Sequence, residues 1–287
     1  TYTINDNDTE PTIGFTVASS TKAESAGTVT VQITLTAQSG NDISVDYFIS
    51  GGTATGSGTD YSITEGTATI TSGNLTSTFN VTIIDDELDE NSETIIIGLQ
   101  NEVNVTLGGN DSHTMSITDN DDSPTVAFTS ASSSGSEAAN PAQLTVNLSR
   151  SSGLAVSVGY SVTGGTTATG SGTDYTLANG TLNYSVGDST ETIDITIVND
   201  ALDENTEYIE VTLASPSNAT LGGTTTHTYS LTDDDPKPSV GFTTTAASGA
   251  ESASPTITAQ LSAVSGLDIT VDYAVTGGTA TGSATDY

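Results

Sequence analysis

The chain repeats itself about every 114 residues, and nothing else in it constrains the fold as much. The run Gly51-Gly52-Thr53-Ala54-Thr55-Gly56-Ser57-Gly58-Thr59-Asp60-Tyr61 returns at 164–175 with one extra Thr, and again at 277–287. Ile4-Asn5-Asp6-Asn7-Asp8 matches Ile117-Thr118-Asp119-Asn120-Asp121 and Leu231-Thr232-Asp233-Asp234-Asp235. Glu24, Glu137 and Glu251 stand at equivalent places, 113 and 114 residues apart. Such self-similarity marks an array of like domains. Residues 1–8 read as the last strand of a preceding repeat. Residues 9–121 and 122–235 are whole repeats, and 236–287 begin another that is cut short. The joints Asp121-Asp122-Ser123-Pro124 and Asp235-Pro236-Lys237-Pro238 are almost without linker, and their prolines restrict them.

Within a repeat the apolar period is two, the period of strands. In the first repeat this places strands at Ile13, Phe15, Val17; at Val29, Val31, Ile33, Leu35; at Ile43, Val45, Tyr47, Ile49; near Ala68 and Ile70; at Phe79, Val81, Ile83; at 95–99; and at Met115, Ile117. The second repeat follows the same scheme. Seven short strands in about 100 residues with Gly-rich turns predict an all-β chain of tandem immunoglobulin-like, seven-stranded antiparallel β-sandwiches. Cysteine is absent, so no disulfide helps to hold these domains.

The strand ending at Ile83 runs into Ile84-Asp85-Asp86-Glu87-Leu88-Asp89-Glu90-Asn91-Ser92-Glu93, six carboxylates in nine residues. The stretch returns as Val198-Asn199-Asp200-Ala201-Leu202-Asp203-Glu204-Asn205-Thr206-Glu207. If successive strands run up and down, Glu24, Asp60, Asp85, Asp86, Glu90, Glu93, Asp119 and Asp121 all fall at one pole. The other pole, with Ser39-Gly40-Asn41, Ser72-Gly73-Asn74 and Gly108-Gly109-Asn110, has little acid. Two like charges about 5 Å apart repel by roughly 3 kcal/mol at an effective dielectric near 20. The net charge is −33 and the only permanent cations are Lys22, Arg150 and Lys237, so the chain itself offers the pole no counter-charge. A hard divalent cation supplies it. Calcium accepts six to eight oxygens in flexible geometry, and eight carboxylates exceed the needs of one ion. Zinc does not suit a chain without Cys and with two His. The acidity excludes nucleic acid and anionic membrane surfaces as partners, and no apolar run is long enough to insert into a bilayer.

Glu24 after the first strand, the Thr59-Asp60-Tyr61 step, Ile84-Asp85-Asp86 with Glu90 and Glu93, and the closing Asp119-Asn120-Asp121 together resemble the Calx-beta repeat. That family occurs in sodium–calcium exchangers, integrin β4 and large bacterial surface proteins. The resemblance implies a seven-stranded sandwich with calcium at its distal loops. By position it implies ligands at Glu24, Asp60, Asp85, Asp86, Glu90, Glu93, Asp119 and Asp121. In the second repeat it implies Glu137, Asp174, Asp200, Glu204, Glu207, Asp233 and Asp235. Asn199 replaces the first Asp of the pair there.

Other readings of these residues fare worse. A solvated, halophile-like acidic surface would not favour one pole over the other. A glycosidase holds two carboxylates in a cleft, and no Trp is present to line a sugar subsite. His113 and His227 sit among Thr residues as ordinary strand positions, with no nucleophile implied. The Gly-Gly-Thr-Ala-Thr-Gly-Ser-Gly run lacks the Lys and the helix of a phosphate loop. The expectation is therefore a non-enzymatic, calcium-stiffened stalk or filament segment of a secreted or cell-surface protein, serving adhesion or matrix. Its partners are neighbouring repeats and, in a filament, identical chains. The alternative is a recognition module whose loops bind glycan or protein.

Overall fold

The computed structural model describes residues 1–3, 5 and 7–282. Ile4 and Asp6 of the expected leading strand, and residues 283–287 of the third Gly-Gly-Thr run, lie outside the described residues. The chain forms two compact units. One comprises 1–124 with 150–155 and 185–188, the other 125–149, 156–184 and 189–287.

The first repeat contributes β1 (Thr12–Phe15), β2 (Ser19–Ala23), β3 (Thr28–Leu35), β4 (Ile43–Gly52), β5 (Tyr61–Ser62), β6 (Gly66–Ile70), β7 (Thr76–Ile83), β8 (Glu93–Val103), β9 (Thr106–Leu107) and β10 (Ser112–Thr118). They make two five-stranded sheets, ordered β5-β7-β3-β1-β9 and β2-β10-β8-β4-β6. Alternation decides which face is inside. Along β3, Val29, Val31, Ile33 and Leu35 are buried while Thr28, Thr30 and Gln32 are exposed. The inner faces meet in one core, with Ile13, Phe15, Ile33, Val81, Ile95 and Ile97 almost wholly out of water. Burying each such side chain is worth roughly 1.5–3 kcal/mol. Tyr47 sits at the core edge, its ring stacked on Phe79 at 3.9 Å.

The second repeat copies this plan with β11 (Thr125–Phe128), β12 (Ser132–Ser136), β13 (Ala142–Leu148), β14 (Val156–Val162), β15 (Tyr175–Thr176), β16 (Gly180–Tyr184), β17 (Thr190–Ile197), β18 (Glu207–Ser217), β19 (Thr220–Leu221) and β20 (Thr226–Thr232). Its sheets run β15-β17-β13-β11-β19 and β12-β20-β18-β14-β16.

The sandwiches differ from the expected plan in two respects. Each has ten strand segments, and their pairing is not wholly antiparallel. The β1/β2 split and one of the parallel pairs come from the first predicted strand, which was expected to run through Val17. It leaves β1 after Phe15, and Val17 is 54% exposed. The chain then crosses to the other sheet, where β2 runs parallel to β10 from Ser19↔Thr114 to Ala23↔Thr118. β1 and β9 also pair in parallel. His113 on β10 pins the crossing. Its Nδ1 lies 2.8 Å from the Val17 carbonyl and its Nε2 2.9 Å from Ser20 Oγ, with the ring 3% exposed. His227 does the same with the Ser130 carbonyl and Ser133 Oγ, at 2.8 Å each. These histidines are buried fasteners of the fold, which their Thr-rich surroundings did not reveal.

In the last stretch, β21 (Val240–Phe242) pairs with β22 (Ala259–Leu261). Ile269, Val271 and Tyr273, which align with Val156, Val158 and Tyr160 of β14, form no strand, and those side chains are 43%, 52% and 89% exposed. A two-stranded pair gives such a segment too little apolar surface to pack on.

Candidate metal centre

Four chain segments deliver acid to one end of the first sandwich. β2 ends in a 3₁₀ turn, Glu24–Ala26, that buries Glu24. β7 ends at Ile83 and releases the 84–92 turn. β10 ends at Thr118, just before Asp119. The fourth segment is the Gly-rich run before β5. It folds as a closed loop: the Thr55 and Asp60 backbones bond each other through Asp60 N–H to Thr55 carbonyl at 3.0 Å, and the Thr55 N–H donates to Asp60 Oδ2. Gly58 takes φ +92°, where a β-carbon is strained. The loop thus serves to fix Asp60, and the 164–175 run fixes Asp174 in the same way.

Glu24, Asp119 and Asp121 each present a carboxylate oxygen within 4.8 Å of the others, as do Glu137, Asp233 and Asp235. Glu24 and Asp119 also join Asp60, Glu90 and Glu93 around a cavity of about 10 Å³. Asp86 lies close enough to raise the pKa of both Glu24 and Glu90. Its Oδ1 accepts the Leu88 N–H at 2.8 Å. Asp85 accepts from Asn120 Nδ2 at 3.3 Å. All eight positions singled out in the first repeat therefore share one pole. The seven of the second repeat do likewise. Glu204 feels Asp174, Asp200 and Asp233, and Glu207 is hydrogen-bonded to Asp174.

Crowding shows in the proton affinities. Burial, reinforced by Asp86, Asp119 and Glu90, pushes Glu24 up to about 7. Burial, then the hydrogen bond and charge of Asp60, pushes Glu93 up to about 7. In the second repeat burial raises Glu137 to about 7 despite a backbone hydrogen bond from Asp200. Burial and Asp174 raise Glu207 to about 7. Without a cation, burial first and like-charge repulsion second favour the protonated form of these groups.

A hard cation fits this donor set. All the donors are oxygens, and Asp121 Oδ2 and Asp235 Oδ2, both in the tight clusters, are buried with no hydrogen-bond partner among the described residues. Two residues that were not singled out are buried here as well. Asp89 is 8% exposed and Asp203 4% exposed, and Asp89 Oδ2 is another buried oxygen without a partner among the described residues. The expectation that no basic residue reaches the pole is corrected in the first unit. Arg150 Nη1 lies 3.3 Å from Asp121 Oδ1. In the second unit Ala263 stands at the position equivalent to Arg150, and Asp235 has no such ion pair among the described residues.

The sequence pattern of the Calx-beta domain matches residues 6–121 and 119–235, which is most of the chain. The chain belongs to the Calx-beta family. Calx-beta domains are calcium-binding, non-catalytic modules, and the two acidic clusters are consistent sites for that ion. Comparison with curated proteins yields no match. Among solved structures, the Calx-beta chain is similar to CBD12 from CALX1.2. Identity is 24% over 77% of this chain and 99% of that one, at a TM-score of 0.38. It is similar to the apo-form Calx CBD1 domain, with 27% identity over 39% of this chain and 100% of that one, at a TM-score of 0.38. A putative carbohydrate-binding protein from Bacteroides ovatus matches at 11% identity over 74% of this chain and 71% of that one, with a TM-score of 0.35. At scores this low no detail of site geometry passes from these structures to the present Calx-beta chain. No helix among its described residues is long and apolar enough to cross a membrane.

Proposed function

We propose that this chain is a calcium-stiffened run of structural repeats from a secreted or cell-surface protein, working in adhesion or matrix. Its partners are neighbouring repeats of the same kind and, in a filament, identical chains. The single observation that carries this reading is the convergence of four acidic segments on one pole of each sandwich, with buried carboxylate oxygens that have no partner among the described residues. Glu24, Asp60, Asp85, Asp86, Glu90, Glu93, Asp119 and Asp121 hold calcium in the first repeat. Glu137, Asp174, Asp200, Glu204, Glu207, Asp233 and Asp235 hold it in the second. Bound calcium supplies the positive charge that lets these carboxylates stay ionised side by side. The repeats run 9–121 and 122–235, and 1–8 and 236–287 match in sequence the closing and opening stretches of a repeat. Counting β1 with β2, β5 with β6 and β8 with β9 as single interrupted strands turns the ten segments into a seven-stranded plan.

A ligand that binds only the folded state stabilises it, by about 2.7 kcal/mol at a hundred times its Kd. Millimolar calcium is expected to raise the melting temperature of the chain and lengthen the particle seen by small-angle scattering, and magnesium to do so much less. Identical melting and scattering curves in calcium and in chelator would refute the proposal.

A further inference from the structure

Residues 150–155 belong to the first compact unit, and they close over the turn that carries Asp89 and Glu90. Ser152 is 1% exposed. Its Oγ donates to the Asp89 carbonyl at 3.3 Å and accepts from the Leu154 N–H at 3.0 Å. Gly153 lies directly against Glu90: a β-carbon built there would overlap Cγ and Oε1 of that glutamate. The second unit repeats the arrangement with different residues. Ser265 Oγ donates to the Asp203 carbonyl at 3.4 Å and accepts from the Leu267 N–H at 3.1 Å. The Gly266 N–H donates to the same carbonyl at 3.2 Å. A β-carbon on Gly266 would stand 2.6 Å from Glu204 Oε1 and 2.7 Å from its Cγ.

The earlier Ser39-Gly40 pair supplies the comparison. It makes the same local turn, with the Asn41 N–H on Ser39 Oγ at 3.0 Å. Yet a β-carbon on Gly40 would meet nothing within 4 Å. None of the three glycines has a positive φ, so backbone conformation does not demand glycine at any of them. At Gly153 and Gly266 the three atoms nearest such a β-carbon all belong to the glutamate side chain. Both glutamates are among the carboxylates of the acidic pole, and Glu90 lines the cavity with Glu24, Asp60, Glu93 and Asp119.

We propose that Ser152-Gly153 and Ser265-Gly266 are positioning residues for the two calcium sites. The serine fixes the carbonyl of the acidic turn, and the glycine leaves the room in which Glu90 or Glu204 must lie to reach the ion. The affinity of each site is thus set by a loop 62–63 residues further along the chain. This rests on the calcium reading above.

The test uses the full chain and isothermal calcium titration at pH 8, with calcium-free melting recorded in parallel. Removing an outer support of a metal ligand typically costs about 10–100-fold in affinity. Gly153→Ala should weaken one class of site by roughly 10-fold, and Gly266→Ala the other. Gly40→Ala should change neither. Only a flexible glutamate side chain must give way, so the calcium-free melting temperature should stay put. In a Glu90→Gln background, Gly153→Ala should add no further loss, because the two changes act through one group. If the unchanged chain binds no calcium, the functional reading itself fails. If it binds and Gly153→Ala binds equally well, the positioning role is overturned. It is equally overturned if Gly153→Ala lowers the calcium-free melting temperature, or weakens calcium further in the Glu90→Gln background.

Discussion

Removing calcium should invert the pH dependence of stability. Glu24 and Glu137 are 5% and 6% exposed, and each moves from an ordinary 4.5 to about 7 in the folded, metal-free chain. A carboxyl whose pKa is raised on folding binds more protons folded than unfolded. Stability is therefore full below the unfolded pKa and is lost as pH climbs through the folded one. The window here is about pH 4.5 to 7. The span of 4.5 to about 7 corresponds to on the order of 3 kcal/mol per group at 1.36 kcal/mol for each pH decade. Each sandwich holds one of these deeply buried groups, and beside it Glu93 or Glu207 is also raised to about 7, by burial and then by Asp60 or Asp174. For a domain of this size one such contribution is on the order of 10 °C in melting temperature. Calcium acts in the opposite sense, since it must displace those protons. For one group at about 7, its apparent affinity should rise roughly tenfold between pH 6 and pH 8. The assay is thermal denaturation of chelator-stripped protein between pH 5 and 8, with and without millimolar calcium. Stripped protein should melt progressively lower as pH rises, and calcium-loaded protein should not. Glu24→Gln with Glu137→Gln should make the decline shallower, the part that remains coming from Glu93 and Glu207. A stripped chain whose melting temperature is flat or rises over that range would refute the argument that burial and crowding hold these carboxyls protonated.

Two further outcomes follow from the geometry. Asp119→Asn with Asp121→Asn should remove the first calcium site, leave the second, and keep both units folded, as read by a titration with half the stoichiometry and unchanged circular dichroism. Ser20→Ala should strip the buried His113 Nε2 of its hydroxyl partner and cost about 1–3 kcal/mol in urea denaturation, while calcium affinity is unchanged because the change lies away from the acidic pole.

Much of this protein could be read from its residues because two short periods are written into them. The apolar period of two placed most of the strands: Val29 to Leu35, Phe79 to Ile83 and Ile95 to Leu99 are buried where alternation put them. Alternation is local, so the sequence carries it openly. The 114-residue recurrence did the same for the acidic segments. Their spacing along up-and-down strands was enough to bring Glu24, Asp60, Glu90, Glu93 and Asp119 to one pole.

Tertiary structure decided what depends on partners far away in the chain. Nothing near Val17 announces that the first strand breaks there. The break is held by His113 on β10, 96 residues on, which binds the Val17 carbonyl at the crossing and Ser20 Oγ on β2, its neighbour in the same sheet. Asp89 looks like any other acid of its turn, and only packing buries it. Ser152-Gly153 and Ser39-Gly40 look alike in sequence. They differ because one glycine faces Glu90 and the other faces open space. Arg150 likewise reads as a stray surface cation until it is found 3.3 Å from Asp121. A side chain's partner across tens of residues is fixed by the closed sandwich, and no local period records it.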